Sequence, residues 1–482
     1  MDNNLLKKFM QFAIGNCIVL VLGFISSPII TRLIDDPSQM GKFNMFTTVA
    51  NLAMVIVMVG IDQSYVKYYY EEDLNSRGKL LRRCIKVPLL ISIVMGVLIL
   101  VFNRSISIYI VGQESLGIAF FTALHIIGLV INRFALLQIR MKQNAKLYSF
   151  LSILTKMTFL ALVGVLYFRY NNNYMTLVLS MIISNVVVSI LAIILERKEW
   201  FKFDKIAELK VTTKKLMIYG FPLVFTMIIT WLFQSIDKLS INHFCGYKEV
   251  GLYGSAMTIV GVLNTFQSAF TTFWVPVAYE HYNNSPDDKG FFVKINNIVT
   301  VVMLFLAIGL IAMKDIVVLL LGPNYREAVF IFPYLVFMPI MYTISETTVM
   351  GINFKGKTKK HILIAFVAAI VNLIGNSFLV PIYGARGAAI STGVAYIVFF
   401  CMRTYMSKKE YKVNYRLKSF AISTIIVYMF ATYSSFYKFN MVIFLISLTS
   451  TFIVAVLYKD TIHEGLKLLK HIVKSKKGEK LD

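Results

Sequence analysis

The stretch QMGKFNMFTTV (Gln39–Val49) returns 210 residues later as EVGLYGSAMTI (Glu249–Ile259), with Gly41 over Gly251 and Phe43 over Tyr253. The offset holds downstream. YIVGQES (109–115) falls on LLLGPNY (319–325), glycine over glycine at 112 and 322, and QNAKLYSF corresponds, with a small slip, to FKGKTKKHIL. Identities are few, but the hydropathy boundaries repeat at the same period, so the pattern reads as an internal duplication. Each copy holds six apolar spans. An even number makes both copies run the same way through a membrane, related by an axis near the membrane normal, as in some secondary transporters.

The chain of 482 residues is 57% hydrophobic and 15% charged, with a mean hydropathy of +0.69. Soluble domains are nearer a quarter charged. The apolar residues gather in fourteen blocks, near 10–33, 43–66, 87–103, 116–139, 147–168, 174–195, 216–237, 251–279, 295–313, 328–352, 361–381, 384–406, 417–437 and 440–458. Each approaches the ~20 residues that cross a hydrocarbon core. The expected fold is an all-α polytopic membrane protein of about fourteen transmembrane helices. Two pseudo-symmetric six-helix lobes (1–200 and 201–412) precede two further helices and a basic tail (413–482).

Charge placement sets the expected topology. With the N-terminus inside, inner loops and tails hold 37 of the 49 Lys and Arg, outer ends ten, and spans the other two. Excess Lys/Arg marks the cytoplasmic side, so both termini are expected in the cytoplasm. The net charge of +24 then reflects topology and attraction to anionic membrane lipids, not nucleic acid. Lys7 and Lys8 precede an apolar block without a small-residue cleavage site, which reads as a retained first span. EWFKFDKIAELK (199–210) and the tail face Ile462, Leu466, Leu469 and Val473 read as segments lying along the inner surface. No loop exceeds about twenty residues, too little for a soluble catalytic domain, so no enzyme is expected. Cys17, Cys84, Cys245 and Cys401 are far apart and read as free thiols. Neither paired-histidine spacing nor a nucleotide-binding loop occurs, so no metal, cofactor or ATP is expected.

Charges inside the spans are costly, at least ~2.5–3.5 kcal/mol each, and normally face a partner or a cavity. GIDQSYVKYYYEE (60–72) ends span two. Asp62, Tyr65 and Tyr69 share one helical face there, and Lys67 and Glu71 another. The tyrosines read as an interfacial belt, Lys67–Glu71 as a solvated pair, and Asp62 as facing an aqueous vestibule. Arg32 closes span one, where an interfacial snorkelling role competes with a cavity role. Asp237 and Lys238 lie near the outer boundary of span seven. Arg133 in span four has no acid nearby in its own helix and reads as cavity-facing. Lys156 and Glu346 read either as an interhelical ion pair or separately, and Asn372 and Asn376 as stitches between helices. The balance leans cationic, with Arg32, Lys67, Arg133, Lys156 and Lys238 against Asp62, Asp237 and Glu346. That suits an anionic phosphate or diphosphate headgroup.

The order of several motifs carries a resemblance. GIDQSYVKYYYE ends span two, GFPLVFTMIITWLFQSIDKLSINHFCGYKEVGLYGSAMTI covers spans seven and eight, and LLGPNYREA and VPIYGARGAAISTGVAYIV follow. Over essentially the whole chain this resembles the Wzx-type polysaccharide (O-antigen or capsule) flippases of the multidrug/oligosaccharidyl-lipid/polysaccharide exporter superfamily. Gly220-x-Pro222, Asp237-Lys238 and Gly251-x-Tyr253 follow the family pattern. The resemblance implies alternating access around a central cavity and export of a polyprenyl-diphosphate-linked oligosaccharide from the bacterial cytoplasmic membrane. It also implies a groove for the lipid tail at spans 13 and 14. The five cations are then the headgroup candidates and Asp62, Asp237 and Glu346 the candidates for coupling to H+ or Na+. A monomer is expected, since duplication supplies both lobes.

Two rivals remain at this stage. A cation antiporter of the same superfamily usually lacks the extra pair of spans and calls for a more acidic cavity. A membrane-bound polymerase or transferase needs a large outer loop or paired catalytic groups, neither of which the sequence offers.

Overall fold

A computed structural model describes the backbone over residues 3–201 and 209–476, and side chains over 15–467 apart from 16, 17, 20 and 202–208. Lys7, Lys8, Cys17, the middle of the 199–210 connector, Leu469 and Val473 lie outside the described side chains. Among the described residues the chain is helical throughout, with no strand.

The helices of the first half are α1 (Asn3–Leu33), α2 (Pro37–Met58), α3 (Ile61–Tyr68), α4 (Arg77–Val101), α5 (Asn103–Val111), α6 (Leu116–Met141), α7 (Ala145–Tyr170), α8 (Tyr174–Leu195) and α9 (Arg197–Phe201). There follow α10 (Thr213–Cys245), α11 (Tyr247–Asn284), α12 (Lys289–Ala312), α13 (Lys314–Val317), α14 (Phe332–Leu335), α15 (Phe337–Thr348) and α16 (Met350–Phe354). The last are α17 (Lys359–Tyr383), α18 (Ala385–Lys408), α19 (Leu417–Phe436), α20 (Met441–Leu457) and α21 (Lys459–Lys476). The duplication appears in these boundaries: α1 moved by 210 residues covers 213–243, the range of α10, and α8 covers 384–405, the range of α18. Several starts are fixed by side-chain caps that satisfy the free amides of a first turn. Asp36 caps Ser38 N just before Pro37, Asn173 caps Met175 N, and Thr212 caps Lys215 N.

Every expected apolar block is helical. Among the described residues ten helices are long and apolar enough to cross a membrane, and twelve spans result if each of two bent pairs counts once. One bend, of 56°, joins the 3-10 turn Pro323–Phe330 to Phe332–Thr348; the other, of 80°, separates α20 from α21. The remaining two blocks belong to α1, whose described apolar part is Val21–Leu33, and α11.

Two expected spans are broken. The block at 43–66 divides at Val59 and Gly60, which take φ of 48° and 68°. The left-handed region suits glycine but is rare for a β-branched residue, so Val59 is held there by its surroundings. The block at 328–352 becomes α14, α15 and α16, with Pro333 and Pro339 among its residues.

The chain packs as two compact units, residues 1–258 with 321–325, and residues 259–320 with 326–482. In the first unit α1 packs on α7, α4 on α6, and α2–α3 on α10. One of its cores joins Tyr65, Tyr69, Leu80, Cys84, Val130 and Phe134. In the second unit α17 packs along α18, α15 on α18 and α12, and α19 on α20. Ser391 Oγ donates to the Asn372 carbonyl and side chain at 2.8 Å, so Asn372 does stitch α17 to α18.

Candidate functional site

The break at Val59–Gly60 re-aims α3 and turns Asp62 into the first unit. Its side chain is 5% exposed and meets Arg133 of α6, with Arg133 Nη2 at 2.8 Å and Nε at 3.2 Å from Oδ2. Gln63 Nε2 donates to the same oxygen at 3.0 Å, while Oδ1 is buried without a donor. A buried carboxylate needs such a partner, because uncompensated burial costs several kcal/mol. Arg133 is not consumed by the pair. Its side chain is 42% exposed, and among the described residues its other N–H donors have no hydrogen-bond partner. The result is a cation fixed from behind by an acid and open in front, a geometry that presents a guanidinium to an anionic oxygen.

The tyrosines beside it are not a belt. Tyr65, Tyr68 and Tyr69 are buried, and Tyr65 meets Phe134 edge-on. Only Tyr70 is exposed, its hydroxyl donating to Met141 O at 2.6 Å. Nor do Lys67 and Glu71 pair. The Lys67 ammonium stands 4.1 Å from the Tyr219 ring centre and 5.0 Å from that of Tyr68, and Lys215 stands 5.2 Å from Tyr68. A tyrosine face attracts an ammonium through the negative face of its ring quadrupole.

The α2–α3 break is also where α10 touches. A Cβ on Gly60 would lie 2.1 Å from Gly220 O, and one on Gly220 would lie 2.6 Å from Gly60 O. Ser64 Oγ donates to Leu216 O at 2.7 Å. The Gly-x-Pro motif thus begins with a glycine needed for close approach. The second motif pair meets inside the same unit, where Tyr253 Oη donates to Asp237 Oδ2 at 2.6 Å and both are buried. Asp237 is therefore a buried acceptor held by a tyrosine of its own unit. Lys238 beside it is half-buried and makes no ion pair among the described residues.

Arg32 is exposed and donates from Nη1 to Pro28 O at 2.9 Å, a basic residue serving the last turn of its own helix. Lys156 is exposed midway along α7, with no ion pair among the described residues. Glu346 does not await Lys156. Its Oε1 meets Arg403 Nη2 of α18 at 2.8 Å, each side chain only 6% exposed. Arg403 Nη1 donates to Ser345 Oγ at 2.6 Å, and the guanidinium lies 5.1 Å from the Tyr342 and Phe399 rings. Trp274 Nε1 donates to Glu346 O at 3.1 Å, and Thr348 meets Thr404 at 2.8 Å. This polar ladder locks α15 to α18. The sequence alone does not single out Arg403; the signal for it is that a buried Glu346 requires a buried cation.

Below the ladder, α18 and α19 enclose an apolar groove of about 810 Å³, lined by Val394, Phe400, Cys401, Phe420 and Met429 among others, with Lys408 in its wall.

Comparison with known proteins gives these features a family. A model described as polysaccharide biosynthesis protein matches residues 5–281. An uncharacterized membrane protein of Methanocaldococcus jannaschii is 23% identical over 260 residues, 52% of this chain and 50% of that protein. The chain therefore spans about half the length of that curated relative. Among solved structures, the lipid II flippase MurJ superposes with a TM-score of 0.71 at 15% identity, over 94% of this chain and 100% of that one. The MATE multidrug transporter DinF-BH gives 0.55 at 14% identity, over 86% and 96%. These likenesses show a shared fold of two lobes. The chain belongs to the polysaccharide biosynthesis protein family.

Proposed function

We propose that this protein is a flippase that moves a polyprenyl-diphosphate-linked oligosaccharide across the bacterial cytoplasmic membrane for surface polysaccharide synthesis. The observation that carries the reading is Arg133, held by the buried Asp62 carboxylate yet open on its other side. A guanidinium so fixed binds phosphate oxygens with little loss of side-chain freedom. Lys67, Lys156 and Lys238, with no ion pair among the described residues, are further headgroup cations, and exposed Arg32 is a fifth. Transport proceeds by alternating access between the duplicated lobes (1–200 and 201–412), with both termini cytoplasmic and the protein monomeric. Covalent bonds of the cargo stay intact. Asp62, Asp237 and Glu346 are the acids available to couple H+ or Na+ movement. Between them, Glu346 is neutralised by Arg403 and Asp237 is bonded to Tyr253, which leaves Asp62 Oδ1 as the acceptor without a donor. The groove on α18 and α19 suits a hydrocarbon chain, one span earlier than the family resemblance implies.

The test is translocation in proteoliposomes. Purified protein is reconstituted with a fluorescent polyprenyl-diphosphate oligosaccharide, and an impermeant quencher reports the outward-facing fraction over time. Protein-dependent flipping supports the proposal. Absence of flipping, with gradient-driven efflux of a cationic dye from the same vesicles, replaces it with an antiporter.

A further inference from the structure

The repeated stretch at 39–49 and 249–259 does more than record a duplication. In the first unit, the two copies touch each other at their own equivalent positions. A Cβ on Gly41 would lie 1.8 Å from Tyr247 O, and one on Gly251, its repeat mate, would lie 1.9 Å from Pro37 O. Pro37 and Tyr247 are themselves 210 residues apart, so the two contacts exchange under the repeat. One turn on, a Cβ on Gly254 would lie 2.3 Å from Nδ2 of Asn44, again its mate. A pseudo-two-fold axis passes between these pairs.

Around that axis the connecting segments swap. Tyr247 of the second copy donates its hydroxyl to Ile108 O at 2.9 Å and Tyr109 O at 3.1 Å of the first, beside Gly112. Reciprocally, the segment holding Gly322, the mate of Gly112, docks on the first copy. Gly322 N donates to Thr31 Oγ1 at 2.9 Å, and Tyr325 Oη donates to Ile34 O at 2.6 Å. Thr31 and Tyr325 are fully buried by this docking. The closed arrangement also carries a fault, because Asn44 Nδ2 is buried there with no acceptor. An unpaired buried donor costs free energy that water would relieve if the contact parted.

We propose that Gly41, Asn44, Gly251 and Gly254, with the swapped tyrosines Tyr247 and Tyr325, form a two-fold latch that closes the outer side of the transporter and parts to release cargo. This rests on the function and orientation proposed above. Glycine is required at 41 and 251 only while the latch is shut, since a methyl there meets backbone and not a movable side chain.

Two measurements decide it, both in a chain whose four cysteines are replaced. In Asn44→Cys/Gly254→Cys the new Cβ at 254 lies 3.1 Å from the Asn44 Cγ position, about where the thiol of the other cysteine falls, a reach compatible with a disulfide. The reduced double variant flips the fluorescent lipid-linked oligosaccharide, oxidation stops it, and reductant restores it. Equal flipping in both redox forms overturns the latch; failure of the cysteine-free parent, with Asn44 and Gly254 intact, to flip overturns the substrate reading instead. The second measurement needs no cargo. A cysteine at Thr31 reacts slowly with an impermeant maleimide applied from outside, and adding Gly251→Ala accelerates labelling by ~10-fold or more as the population shifts to the parted state. Unchanged labelling overturns the latch whatever the cargo proves to be.

Discussion

Asp62 and Arg133, 71 residues apart in the chain, form an ion pair in which the acid is buried and the base is 42% exposed. That asymmetry separates their roles, since Asp62 orients and Arg133 presents. Arg133→Ala strands a buried carboxylate, so it should destabilise more than Asp62→Asn/Arg133→Ala does. A double-mutant cycle on the detergent-solubilised protein should give a coupling of about 1–2 kcal/mol. This is below the ~3–5 kcal/mol of fully buried pairs because Arg133 is partly solvated. A coupling near zero would show that the two side chains do not hold each other.

Glu346 and Arg403 make the contrasting pair, closed on all sides. Arg403→Ala should cost about 3–5 kcal/mol, the penalty for leaving one charge buried alone. Glu346→Gln in combination with Arg403→Met should recover most of it. If Glu346 serves structure and not ion coupling, the double variant keeps the gradient dependence of flipping. Loss of gradient dependence alone, with normal thermal stability, would make Glu346 a coupling acid.

Each unit carries a matching clamp of lysine and glutamate. Lys142 meets Glu196 at 2.6 Å and Glu199 at 2.9 Å in the first unit, and Glu410 meets Lys357 at 2.8 Å and Lys360 in the second. Hydrogen bonds from Lys357 and then Lys360 hold the Glu410 carboxyl below its usual range. A depressed carboxylate stabilises the fold above its unfolded pKa, and that stabilisation fades as pH falls through the folded value. Hydrogen-exchange protection at 355–358, relative to the intrinsic rate at each pH, should therefore be high at neutral pH and fall on acidification below the ordinary carboxylate pKa of about 4.3. Glu410→Gln should be weakly protected at both. Equal protection in the variant and the parent at neutral pH would show that the clamp does not hold this loop.

A cysteine placed at 355–360 should be labelled only from the cytoplasmic side, together with one placed in the 409–413 segment. Labelling of either from outside would overturn the count of fourteen spans and the inward termini.

The spans were legible because length and apolarity are local properties, and the duplication because Gly41/Gly251 and Gly112/Gly322 keep one offset. The site was legible in part. Asp62 and Arg133 stood out as charges among apolar residues, but nothing local links residues 71 apart. Val59 carries no sequence mark of a left-handed turn, so the break that aims Asp62 was invisible, and with it the burial of Tyr65 and Tyr69. Arg403 sits near the end of an apolar block and looked like one more inner charge. Lys215 looked the same, though it shares the Tyr68 ring with Lys67.

Arg133 as the receiver of the diphosphate is tested first by the flipping rate of Arg133 variants in proteoliposomes at equal protein density. Arg133→Ala should slow flipping by ~10–100-fold, the loss of one charge-assisted bond set of about 1.5–3 kcal/mol. Arg133→Lys should retain an intermediate rate. Wild-type flipping by correctly folded Arg133→Ala would contradict the account and remove Arg133 from the headgroup site.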